Sequence, residues 1–267
     1  MAKKRATKST FGKYILNCIP SPAQERDWSM ASALAAGLLT AGPVPTAKDL
    51  RKSWWTIGDQ GATGSCVGWA TADSVLRWHF VNANRLPTAQ RLSPRFIWMA
   101  AKETDDYISR PTTFIEQEGT FLKAAVDVAK KFGAVLDSVL PFATGKLFAG
   151  DPADFFAMAA QRRIATYHNL GTNLANWRQW IALGGPILTR LGVDATWDNA
   201  GNTNGDLVTY QPNTVRGGHA VALVGYTPNY FIVRNSWGTT TWGDKGFGYA
   251  YDSYAAAAFT EAYGVVL

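Results

Sequence analysis

Helix-forming patterns crowd the first half of this chain and strand-forming patterns the second, which predicts an α+β fold with a helical lobe and a β-barrel-like lobe. Two local runs sharpen the prediction. A Gly-rich turn, Gln60-Gly61-Ala62-Thr63-Gly64-Ser65, feeds directly into Cys66 and the apolar run Val67-Gly68-Trp69-Ala70-Thr71-Ala72. Far downstream, His219 opens an apolar strand and Asn235 ends the next one. Groups so distant in sequence meet only across a cleft between the lobes, a common place for substrate sites.

The elements follow in order. Residues 1–45 read as an N-terminal extension rich in Pro, Ala and Gly and punctuated by Pro20, Pro22, Pro43 and Pro45. Its Ala-rich run from Ala31 to Ala41 is too short to cross a bilayer, which needs about 20 residues. It also lies too far from Met1, behind Glu25-Arg26-Asp27, for a secretory signal, and reads as a short helix. Residues 46–160 form the helical lobe. The helix after Cys66 passes Val75, Leu76, Trp78 and Phe80, apolar on most sides, and is expected to be buried. Ser93 followed by Pro94 signals an N-cap and first helical residue for a helix over Arg95 to Lys102. A further helix is expected from Thr120 to Phe132, stopped by Gly133. Residues 161–267 form the β-rich lobe. Strands are expected at Pro186 to Leu191, Leu207 to Tyr210, His219 to Tyr226, Tyr230 to Asn235, Phe247 to Tyr251 and Tyr263 to Leu267, and around His168. A helix from Asn173 to Leu183, ended by Gly184-Gly185, interrupts them.

Composition bounds the function. With 267 residues and 47% hydrophobic content, the chain can bury a large core. Its net charge of +6 owes much to Lys3-Lys4-Arg5 and Lys8, which read as a solvated tail. No basic stripe interleaved with aromatics points to nucleic acid. Three scattered histidines and two distant cysteines show no metal-ligand spacing, so no metal or other cofactor is expected. Nothing in the sequence names a compartment.

Chemistry concentrates at Cys66. A thiol in the first turn of a helix faces exposed backbone N–H groups and the positive end of the helix dipole, both of which favour the thiolate nucleophile. The strands around His219 and Asn235 are joined by Thr227-Pro228-Asn229, which puts both residues at the open end of one hairpin. Nucleophilic thiol, imidazole base and amide orienter are the parts of thiol acyl transfer.

In these runs the chain resembles the papain-like cysteine peptidases. The matching residues are Asp59-Gln60-Gly61 through Ser65-Cys66, then Gly218-His219-Ala220-Val221, then Asn235-Ser236-Trp237-Gly238 with Trp242-Gly243-Asp244-Lys245-Gly246 behind. Softer similarity starts near Asp49 and includes Leu92 to Ile97 and Glu118-Gly119-Thr120. The resemblance implies the two-lobed papain-like fold with the active-site cleft between lobes, in a bacterial-type member without disulfides or a long pro-region. It implies a hydrolase acting on a peptide or protein substrate, with Cys66 as nucleophile, His219 as acid–base and Asn235 as orienter. Gln60 would donate to the oxyanion beside the Cys66 backbone N–H, and Trp237 would shield the Asn–His contact and line the substrate site. Gly119 and Thr120 would flank the acyl side of an extended substrate. Gly218 reads as leaving open space beside His219, which predicts an apolar or broad second subsite.

Rival readings stand beside these. His79 and His168 read as structural, and Cys18, in Leu16-Asn17-Cys18-Ile19-Pro20, reads as a packed side chain. A catalytically silent binding module on the same fold is the main alternative, against which four intact catalytic groups argue. An amidase or peptide ligase on the same acyl-enzyme chemistry is the other. The sequence also departs from the family pattern. Val67 stands where tryptophan is usual, Trp69 is the candidate substitute, and the Thr239-Thr240-Thr241 stretch between Trp237 and Trp242 is one residue longer than usual. Thr63 occupies the place of a bridging cysteine, so the active form is expected to hold without an intramolecular disulfide. The segment from Phe11 to Met30, with Tyr14, Ile15, Leu16, Ile19 and Trp28, has two readings: a gate lying over the cleft, or a belt that supports the fold.

Overall fold

The protein is described by a computed structural model covering Gly12 and residues 14–39, 42–104, 118–143 and 148–267. Phe11, the basic cluster before it, and Thr40 and Ala41 of the Ala-rich run lie outside the described residues.

Helix α1, Met30–Ala35, starts at Ser29, whose side chain accepts from the Ser32 N–H. The helix that carries Cys66, α2, opens as Cys66–Gly68, continues as a π-wound stretch Trp69–Leu76 and closes as Arg77–Asn82. Every residue of its first two parts is buried, as expected of a helix apolar on most sides. Helix α3, Pro94–Thr104, has the expected cap: Ser93 Oγ accepts from the Phe96 N–H at 3.0 Å. Helix α4, Leu122–Lys131, ends where Gly133 takes φ +95°, and the Gly133 N–H returns to Val128 O at 3.0 Å. Helix α5, Pro152–Ala160, was not anticipated, although Asp151 caps it by accepting from the Ala153 N–H and Pro152 sits in its first turn. Helix α6, Leu174–Leu183, is capped by Asn173. Two short helices follow, α7 over Ala195–Asp198 and α8 over Asp252–Ala258.

The strands are β1 Lys48–Asp49, β2 Thr166–Asn169, β3 Ile187–Val193, β4 Asp206–Leu207, β5 Gly217–Tyr226, β6 Tyr230–Arg234, β7 Phe247–Tyr251 and β8 Phe259–Val266. They form one sheet in the order β2-β8-β3-β5-β6-β7-β4, with β1 added against β5. All pairings are antiparallel except β4 with β7. The expected strand from Leu207 to Tyr210 pairs only at its start. Beyond it, Thr209 O accepts from Thr196 Oγ1 and the Gln211 N–H donates to Asp194 Oδ2, which draws the chain toward α7. The last strand begins earlier than expected, because α8 runs directly into it.

Strand β5 is almost continuously apolar, and both α2 and α6 pack against it, so residues 218–226 are all buried. This packing brings the start of α2 against the start of β5, and thus Cys66 to His219. A buried ionic cluster reinforces the join. Asp73, inside the π-wound stretch, meets Arg77 at 3.2 Å, Arg91 at 3.3 Å and Arg234 at 2.9 Å. Arg234 also donates to Ser74 Oγ and Thr56 O, and lies over the Trp55 ring. Because Arg234 immediately precedes Asn235, one carboxylate ties the cysteine helix to the strand that ends in the asparagine.

Candidate active site

The local folding of three segments sets the site. The turn before α2 delivers Cys66 at a helix start, where its backbone N–H has no partner within the helix. The β5–β6 hairpin closes at Thr227, whose N–H donates to Tyr230 O at 2.8 Å, so His219 and Asn235 lie together at its open end.

There His219 Nε2 lies 2.8 Å from Asn235 Oδ1. The Ser236 backbone N–H donates to the same Oδ1 at 2.8 Å, which fixes the orientation of the amide. An amide oxygen only accepts, so Nε2 carries a proton and Nδ1 is left for Cys66. Among the described residues, Nδ1 makes no hydrogen bond. The imidazole is fully buried beneath Trp237, whose ring centroid lies 5.1 Å away, with Trp197 edge-on at 5.7 Å. These rings exclude water from the His–Asn contact and strengthen it by lowering the local dielectric.

The Cys66 thiol is held well below the ordinary thiol range. A hydrogen bond from the Cys18 thiol contributes most, and His219 and the Ala220 backbone add to it, against burial, which favours the neutral form. The Cys18 thiol is pushed the opposite way, first by burial and then by its bond to Cys66 and the charge there. Both thiols are free and almost wholly enclosed.

Gln60 is buried and oriented on two sides. Its Oε1 accepts from Ser236 Oγ at 2.9 Å, and its Nε2 donates to Thr63 O at 3.0 Å. Its backbone N–H donates to Ser236 O at 2.9 Å, holding the turn before Cys66 against the segment after Asn235. One Nε2 hydrogen is left over. Val67 is buried, and Trp69 packs against Gly58 and the Phe142 ring.

The residues expected on the substrate side are already occupied by this chain. The N-terminal segment runs as a strap across the site. Tyr14 stacks on Trp237, with centroids 4.3 Å apart and planes within 2°, and its hydroxyl donates to Trp237 O. The Cys18 N–H donates to Gly218 O at 3.1 Å, and the Ile19 N–H donates to Thr120 O at 3.3 Å. Arg190 Nε donates to Cys18 O at 2.9 Å, and the Ser21 N–H donates to the buried Glu261 carboxylate at 2.9 Å. Burial raises the Glu261 pKa above the ordinary carboxylate range.

One expectation is corrected here. Gly218 does not leave open space: a Cβ there would lie 2.0 Å from Cys18 O and 2.7 Å from Arg190 Nη2. The same holds at Gly119, where a Cβ would meet Asn17 O at 2.1 Å. Glycine at both positions lets the strap backbone lie flat against the cleft. Cys18 is packed, as expected, with its thiol 3.9 Å from Ile19 O, and it interacts with the Cys66 thiol.

His79 and His168 sit elsewhere, His79 against Trp78 and His168 with Nδ1 3.1 Å from Ser29 O. The sequence placed Tyr14 in a segment that gates or belts the cleft, but missed Asp73, Arg190, Arg234 and Glu261. The signal for Asp73 and Arg234 was a charge inside an otherwise apolar helix or strand, which is rarely buried unpaired.

The model of the papain family cysteine protease matches residues 44–258, so the chain belongs to that family. It is a hydrolase of the thiol protease class, with the α+β papain-like fold. Cathepsin J of Mus musculus is 28% identical over 90% of this chain and 68% of its own length. A short stretch covering 11% of this chain is 62% identical to papain of Carica papaya. Among solved structures, xylellain, a cysteine protease from Xylella fastidiosa, superposes with a TM-score of 0.75 at 22% identity, covering 95% of this chain and 96% of its own. Procathepsin B S9 from Trypanosoma congolense gives 0.69 at 15% identity, covering 97% and 88%. No helix among the described residues is long and apolar enough to cross a membrane.

Proposed function

We propose that this cysteine protease cleaves peptide bonds through a thioester acyl-enzyme, with Cys66, His219, Asn235 and Gln60 as its catalytic groups. The observation that carries the reading is the fixed Asn235 amide, which accepts from both the Ser236 N–H and His219 Nε2 and so turns Nδ1 to Cys66. Cys66 attacks the substrate carbonyl as the thiolate. The spare hydrogen of Gln60 Nε2 and the Cys66 backbone N–H receive the developing oxyanion. His219 then protonates the leaving amine through Nδ1, and later takes a proton from the water that hydrolyses the thioester. No metal or cofactor enters any of these steps.

The strap supports a second part of the proposal: the N-terminal segment holds the enzyme inactive. It passes from Trp237, past Cys66, to Thr120. With Gly119 and Thr120 on the acyl side, a cleavable peptide runs the other way, from Thr120 toward Trp237. The strap therefore covers the cleft with reversed chain polarity and does not offer its own amides for attack. Four of the similar solved structures are pro-forms, among them procathepsin B S9 of Trypanosoma congolense and procathepsin L2 of Tenebrio molitor larval midgut. The test is hydrolysis of a peptidyl coumarylamide by reduced protein, before and after release of the strap by mild proteolysis. Turnover that rises on release and vanishes in Cys66→Ala supports both parts. Turnover that survives Cys66→Ala ends the first, and turnover indifferent to release ends the second.

A further inference from the structure

We propose that Cys18 and Cys66 form a reversible disulfide that latches the strap across the active site when the protein is oxidised. The proposal rests on the reading of Cys66 as nucleophile and of the strap as its cover.

The chain has only two cysteines. Although far apart in sequence, they meet at the site: the Cys18 N–H lies 3.1 Å from the carbonyl oxygen of Gly218, next to His219, its Sγ lies 3.9 Å from Ile19 O, and the two thiols interact. Nothing about the cover itself needs a thiol at position 18. The strap is held there by its backbone, through Gly218 O, Arg190 Nε and the neighbouring Ile19 amide on Thr120. The Cys18 side chain is thus placed by contacts that do not depend on it, and both thiols are almost wholly buried. The pair is also unequal in acidity, Cys66 lowered and Cys18 raised. That inequality gives the two roles needed: a thiolate that an oxidant meets first, and a neighbour that resolves the product.

The oxidant is a peroxide, which reaches the pair when the strap opens locally. The Cys66 thiolate attacks one peroxide oxygen: an S–O bond forms, the O–O bond breaks, and the departing hydroxide takes the proton of the His219 imidazolium and leaves as water. Closing the strap then brings Cys18 onto the Cys66 sulfenic acid. Cys18 gives its proton to neutral His219 and attacks the Cys66 sulfur. The S–S bond forms, the S–O bond breaks, and the second hydroxide takes that proton back from His219 as water. Two thiols and one hydrogen peroxide give one disulfide and two waters. Two electrons pass from the sulfurs to the peroxide, and a dithiol reductant reverses the change.

The experiment uses the full chain, with hydrogen peroxide as oxidant and dithiothreitol as reductant, on wild type and Cys18→Ser. Reduced protein is first labelled with a peptidyl epoxide. Labelling at Cys66 in both supports the nucleophile reading on its own, and its absence from both, when it is absent also after mild proteolysis of the strap, removes that reading and the latch with it. After peroxide, wild type is expected to keep the intact mass of one chain less two hydrogens. A digest under non-reducing conditions is expected to yield one peptide joining Cys18 to Cys66. Epoxide labelling is lost and returns with dithiothreitol. In Cys18→Ser no resolving thiol is present, so peroxide carries Cys66 on to the sulfinic acid and labelling does not return. Reduced wild type that labels normally, yet on oxidation yields Cys66 sulfinic acid without a linked peptide, overturns the latch and leaves the nucleophile reading standing.

Discussion

The grip of the strap can be weakened from a residue outside the catalytic groups. Gly217 opens β5 beneath Leu16, and a Cβ added there would lie 2.3 Å from Leu16 O, where ordinary contact begins near 3.4 Å. The obstacle is backbone, so Gly217→Ala forces the strap back by about 1 Å. That shift takes the Cys18 N–H bond to Gly218 O, now 3.1 Å, and the Ile19 N–H bond to Thr120 O, now 3.3 Å, past hydrogen-bond range. At about 0.5–1.5 kcal/mol each, two lost bonds disfavour the covered state by about 1–3 kcal/mol. While the open state is the minor one, its population then rises about 5- to 150-fold. The assay is the second-order rate of peptidyl-epoxide labelling at Cys66, read beside amide exchange at Cys18 and Ile19. Both rates are expected to rise in the variant by a factor in that range. Faster exchange with unchanged labelling refutes the gate, and unchanged exchange refutes the steric argument itself.

Other consequences are equally specific. Asp73→Ala leaves the enclosed guanidinium groups of Arg77 and Arg234 without their carboxylate, and urea denaturation is expected to show a loss of about 3–5 kcal/mol. Gln60→Ala removes the proposed oxyanion donor and is expected to lower kcat about 10²- to 10³-fold in a coumarylamide assay of strap-released enzyme. Burial lowers the pKa of His79 to about 4, from 6.5. The unfolded chain therefore binds the proton more readily, so stability is unaffected above pH 6.5 and falls as the pH drops toward 4. The full effect is about 3 kcal/mol. His79→Gln is expected to flatten that part of the stability–pH curve, measured as denaturation midpoints from pH 7 to 4.

What the sequence disclosed depended on how locally the information is written. The helix caps at Ser93 and Asn173, the stop at Gly133 and the His219–Asn235 hairpin each rest on a few adjacent residues, and the structure has them where the sequence puts them. Helix α5 was legible too, in Asp151-Pro152, but no apolar periodicity drew attention to it. Long-range matters were not legible. The partners of Asp73 lie on α2, on Arg91 and on β6, and no spacing rule links them. Gly218 illustrates the difficulty best. A missing side chain reads as space, but here it is room for another stretch of backbone. The same contact turned Cys18 from an ordinary buried thiol into the neighbour of the nucleophile. Only the path of the strap could show it.

The central claim is that His219 activates Cys66 and that Cys18 shares the site without being its nucleophile. The most direct measurement is the rate and position of peptidyl-epoxide labelling in reduced wild type and His219→Ala, with the modified residue mapped by mass. The expected result is a single adduct on Cys66, no adduct on Cys18, and a rate that collapses when the imidazole is removed. Labelling shared between the two cysteines, or a Cys66 rate indifferent to His219, would contradict it.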